Sequence, residues 1–225
     1  MGNPALCLGF TVLCLGMAAL VCFAFGTRTS ALFTVGWLFM TGLAASSGWL
    51  ANFSTMPPHF SLLLGPALLL AVWLGVSTAG RSLVLLPVSV LIGFQAFRIL
   101  VELLIHQAVA QGIAPVQMTW TGMNWDILSG VTALIVAPLA GRLPKKVLLG
   151  WNIMGLGLLL WIIGVALLSM PTIFQRLHPS NTWVAALPFV WLPTVLVPCA
   201  LLGHVVLFRR LAMEQPEPHR HSWRG

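Results

Sequence analysis

Apolar residues run through this chain in blocks of about 20, the length a helix needs to cross a hydrocarbon core. Short polar stretches rich in Pro, Gly, Asn and basic side chains separate the blocks. Seven spans are predicted, over residues 5–25, 31–51, 61–79, 83–107, 126–141, 147–170 and 183–208, the third and fifth being short. The fold class that follows is all-α, a polytopic transmembrane bundle forming one domain over residues 1–211. Residues 212–225 are polar and Pro-containing, and read as a disordered tail. Pro188, Pro193 and Pro198 each remove a backbone donor from the last span, which should therefore be bent.

Orientation follows from the placement of Lys and Arg. With the N-terminus outside and the C-terminus in the cytoplasm, the inner segments hold Arg28, Arg81, Arg142, Lys145, Lys146, Arg209, Arg210, Arg220 and Arg224. Only Arg176 lies in an outer loop, and Arg98 lies within a span. The outer connections are then 52–60, 108–125 and 171–182. The second of these is long and semi-apolar, a candidate to fold back into the bundle where its backbone is buried. No basic n-region precedes the first apolar run, so it is expected to be a retained span rather than a signal peptide.

Composition agrees with lipid as the main solvent. Apolar residues make up 59% of the chain and charged residues 7%, with a mean hydropathy of +0.97; a soluble domain carries about 25% charged residues. The formal charge of +7 is spread singly and in pairs between apolar runs, which argues for loop anchors and against nucleic acid. Cys7, Cys14, Cys22 and Cys199 all fall inside apolar runs, so neither a disulfide framework nor a thiolate metal site is expected.

The fourth span carries the candidate chemistry. Arg98, Glu102 and His106 repeat at i, i+4 and i+8 and share one helix face. Counted from residue 83 at about 1.5 Å per residue, they reach from roughly 22 Å to roughly 34 Å into the membrane. Ionisable groups there should face the bundle interior or water and should be paired. One reading is an intrahelical Arg98–Glu102 pair that only holds helices together. The other is an outward-opening polar site in which Glu102 binds a proton and Arg98 holds an anionic group. Asn124 and Asp126 join the candidate ligand- or proton-binding residues from the same outer side, although a carboxylate at that position also suits a helix N-terminus. His59, His106 and His178 form a possible metal set, suited to zinc or another divalent ion but without motif spacing; otherwise no cofactor is expected. His204, about 21 residues into a span that starts outside, is placed near the cytoplasmic headgroups, roughly 30 Å in height from His106, so those two cannot share a haem iron. The only lysines, Lys145 and Lys146, lie in a loop, which excludes a retinal Schiff base.

The stretches FRILVELLIH, MTWTGMNWDILSGVTALIVA and NTWVAALPFVWLPTVLVPCALLGHVVLFRRL resemble a group of bacterial seven-span integral membrane proteins without an assigned activity. The resemblance runs from the fourth span to the end and implies a multi-pass protein of the bacterial inner (plasma) membrane. Membrane-embedded zinc hydrolases related to alkaline ceramidase also have seven spans, but they carry paired His on the last span, where this chain has only His204. Three functions are open at this point. The first is a proton-linked transporter or ligand-binding protein for a small molecule or ion, centred on Arg98 and Glu102. The second is a metal-dependent membrane hydrolase of lipid-like substrates, with Glu102 or Asp126 as general base. The third is an accessory subunit of a membrane complex.

Overall fold

Residues 3–213 are described by a computed structural model and contain helices and turns but no strand. Asn3 caps the first helix by accepting from the Ala5 N–H, and α1 (Pro4–Phe25) ends where Gly26 takes the left-handed conformation at φ 63°. Thr27 then caps α2 (Arg28–Ser46) through the Ser30 N–H. Further along lie α3 (Ser61–Val76), the single turn α4 (Arg81–Val84), α5 (Val88–Phe94), α6 (Phe97–Ala110), α7 (Ile127–Leu139), α8 (Lys145–Leu168) and α9 (Val197–Met213), the last preceded by a π-helical turn at Leu192–Leu196. Among the described residues five segments are long and apolar enough to cross a membrane: α1, α2, α5 with α6, α8, and the π turn with α9. Helices α3 and α7 are apolar but shorter.

Several boundaries differ from the sequence expectation. The second span stops at Ser46 rather than 51, because Gly48 turns the chain at φ 73° into a 3-10 turn over Trp49–Ala51. The fourth starts at Val88, since Pro87 sets the N-terminus of α5. The largest shift is in the last span, expected from residue 183. Trp183–Ala185 is only a 3-10 turn, Pro188 follows it, and the continuous helix begins at Leu192. α9 carries through Met213; the rest of the expected tail, including His219, Arg220, His221 and Arg224, lies outside the described residues.

The segment of the π turn and α9 is the axis of the bundle: 72% of its apolar window is buried, against 17% for α2 on the periphery. It packs against α3, α5 and α8, while α5 also packs on α7. Between α5 and α6 the hydrogen bonds tighten to an i→i+3 pattern, with Gln95 N donating to Ile92 O, Ala96 N to Gly93 O and Arg98 N to Gln95 O. Gln95 itself is buried and donates to the Ala200 carbonyl of α9. The junction that precedes Arg98 is thereby fixed to the central helix.

Helix ends gather at two poles. At one, Asn3 N donates to Gln111 at the end of α6, and Gln117 and Asn181 bind the C-terminal turn of α8. At the other, Ser82 donates to Ala24 near the end of α1, and Arg209 donates to the carbonyls of Gly75, in the last turn of α3, and of Ser77, just past its end. The connection 108–125 tucks into the first pole, burying Ala114, Gln117, Met118, Thr119 and Asn124.

Candidate functional site

Three helices bring their polar residues to one level of the bundle. Arg98 lies ten residues after the start of α5, roughly 15 Å into that segment, and His204 twelve residues after Leu192, roughly 18 Å in from the opposite pole. In a segment pair about 30 Å long these heights coincide. His204 therefore belongs to the core, not to the headgroup layer, and the reason is the late start of its helix.

Arg98 is 3% exposed and spends its donors on four acceptor atoms of three residues. Its Nε donates to Asp126 Oδ2 at 2.6 Å and its Nη2 to Asp126 Oδ1, a bidentate pair. Its Nη1 reaches His204 Nε2 at 2.9 Å, and both terminal nitrogens lie 3.4 Å from the Gly155 carbonyl. The far side of the imidazole fixes its tautomer. Asn152 donates through Nδ2 to the His204 carbonyl, so its Oδ1, 2.7 Å from His204 Nδ1, must accept. The ring hydrogen is then on Nδ1, which leaves the Nε2 lone pair for Arg98. Gly155 makes this approach of α8 to α9 possible: a Cβ there would stand 2.6 Å from His204 Cε1.

Glu102 is not paired with Arg98. One helical turn further on, its Oε2 accepts from Asn124 Nδ2 at 2.6 Å. Asn124 also donates to the Met118 carbonyl and accepts the Asp126 N–H at 3.1 Å, so it couples the two acidic residues. Asp126 sits at the N-terminus of α7 without capping it, its carboxylate being turned to Arg98. Glu102 Oε1 is buried without a hydrogen-bond partner; the Thr119 hydroxyl and the Trp120 N–H approach the carboxyl group without completing a bond to that oxygen. Glu102, Asn124 and Asp126 line a cavity of about 80 Å³ together with Asn181 and apolar side chains that include Phe60 and Ile162.

The intrahelical Arg98–Glu102 pair is thus replaced by an interhelical Arg98–Asp126 pair, and four of the five expected ligand- or proton-binding residues (Arg98, Glu102, Asn124 and Asp126) come together. His106 stays at the margin, stacked on Trp120 with ring centroids 4.1 Å apart, its Nδ1 3.4 Å from the Thr119 hydroxyl. The metal set does not assemble. His59 stacks on Trp49 and faces the Trp49 carbonyl, His178 lies by Gln175, and among the described residues no three His, Cys, Asp or Glu side chains gather as a metal site. Sequence reasoning misplaced His204 and left Asn152 and Asn181 out of the site. Asn152 carried a usable signal, as a lone amide inside a long apolar run. Compared with protein-family models, curated proteins and solved structures, the chain shows no match, so the site is read from its own geometry.

Proposed function

We propose that this chain is a multi-pass membrane protein that binds and moves a small ligand with linkage to a proton, Glu102 being the proton site. One observation carries this reading: Arg98, the buried cation among the described residues, is consumed by Asp126, which leaves the Glu102 carboxyl with a free oxygen beside a cavity. Inside a bundle such a carboxyl is neutral or holds a cation, and it changes state when the cavity opens to water. The charged and titratable groups near it are Arg98 and Asp126, His204 behind Arg98, and His106 a turn beyond. In this reading α3 and α7 complete seven crossings, the N-terminus faces outward, and the membrane is the bacterial inner membrane, as the charge pattern and the resemblance imply.

The test is infrared difference spectroscopy of the purified protein between acidic and alkaline buffer. A protonated-carboxyl band is expected in the wild-type protein and is lost in Glu102→Gln, while Asp126→Glu retains it. A spectrum in which Glu102→Gln changes nothing sinks the proposal.

A further inference from the structure

The cavity beside Glu102 also defines the kind of ligand it admits. Its polar wall is a set of acceptors. Both Asp126 oxygens take Arg98 donors, and both groups of the Asn124 amide are engaged. Asn181, fully buried, donates to the Ala166 carbonyl at 3.3 Å, and its Oδ1 has no partner. Glu102, 2% exposed, has the second unpartnered oxygen. Two side chains on one cavity therefore each leave an acceptor oxygen unfilled, at a site where an unmade hydrogen bond costs free energy.

We infer that the cavity binds a small ammonium-type cation, ammonium itself or a short monoalkylammonium such as methylammonium, between Glu102 and Asn181. The inference rests on the proposed function and names the substrate class of the same site. Charge favours it whenever Glu102 is ionised: with Arg98 and Asp126 neutralising one another, the carboxylate leaves the interior one positive charge short. Directionality also favours it, because the free groups accept and an ammonium donates. Size sets the limit, since about 80 Å³ is far below the roughly 300 Å³ of a drug-sized site. The remaining wall is apolar, with Phe60 and Ile162 among its members. Hard metal ions want about six oxygen ligands, which this wall does not supply; it does supply a surface for a methyl group.

The experiment is equilibrium binding of radiolabelled methylammonium to the purified full-length chain in nanodiscs. Saturable binding is expected, displaced by ammonium but not by sodium, potassium or tetramethylammonium, which has no N–H to donate. Glu102→Gln is expected to abolish binding, and Asn181→Leu to weaken it roughly tenfold, the loss of one charge-assisted hydrogen bond. Ile162→Phe fills the cavity while keeping both oxygens, and it too is expected to abolish binding, which covers the case of a poorly folded Glu102→Gln. Absence of saturable binding to wild-type protein whose Glu102 infrared band is intact overturns the cation assignment and leaves the proton site standing. Displacement by potassium or sodium as effective as that by ammonium overturns it as well. Loss of the infrared assignment removes the proton site itself.

Discussion

Arg98 and Asp126 meet across two helices with both guanidinium edges and both carboxylate oxygens engaged, at 3% and 13% exposure. A pair so enclosed is worth little relative to an apolar substitute, but removing one partner strands the other charge. Arg98→Met and Asp126→Leu are each expected to destabilise the protein by about 3–5 kcal/mol, and the double variant by clearly less than the sum. Thermal unfolding in detergent checks this; additive losses would mean that the two charges are stabilised separately. The residues of this pair were legible in the sequence because charges inside apolar runs stand out. Their partners were less so. The i, i+4 spacing favoured Glu102 for Arg98, and only the fold shows that Asp126 outcompetes it. His204 was visible as a residue but misplaced, because its depth was counted from Trp183 rather than from Leu192.

At the scale of elements, the break in the last span has a specific consequence for α2. Pro198 has no N–H, so the Thr194 carbonyl, four residues earlier, lacks its helical donor. The Trp37 indole of α2 fills that place, with Nε1 donating to Thr194 O at 2.9 Å, and Trp191 donates in return to Leu38 O at 3.3 Å and Thr41 Oγ1 at 3.2 Å. These bonds tie the least buried span to the most buried one. Trp37→Phe is expected to cost about 1 kcal/mol and to loosen α2, read as faster backbone hydrogen exchange over Arg28–Ser46. In a Pro198→Ala background the restored amide takes the carbonyl, and the same substitution should cost clearly less. Equal costs in both backgrounds would show that the indole acts by packing alone. The three prolines did signal an irregular helix from sequence. Which carbonyl is freed, and which side chain answers it 157 residues away, is tertiary information.

For the whole molecule, composition was enough to read an all-helical chain with helices apolar enough to cross a membrane; among the described residues five segments reach spanning length, and the third and fifth apolar blocks form shorter apolar helices. Sidedness rests on charge. Among the described residues, Arg28, Arg81 and Arg209 fall at the pole where the ends of α1, α3 and α9 meet, and Arg142, Lys145 and Lys146 at the α7–α8 connection, the opposite end of α8 from the pole that holds Arg176. A bundle with its basic end in the cytoplasm has the Glu102 cavity nearer the outer face, because Phe60, Met118 and Asn181 come from outer connections or their borders. With the native cysteines replaced, Ser180→Cys should then react with a membrane-impermeant maleimide on intact cells, and Ser82→Cys only after permeabilisation. The reverse pattern would invert the protein and with it the direction from which a cation reaches Glu102. Labelling of both from one side would contradict the segregation of the poles itself. Because Asn181 belongs to the same outer connection as Ser180, protection of Ser180→Cys by methylammonium would join the topology to the site: a ligand held at Asn181 should slow labelling one residue away, and it should do so only while Glu102 is present.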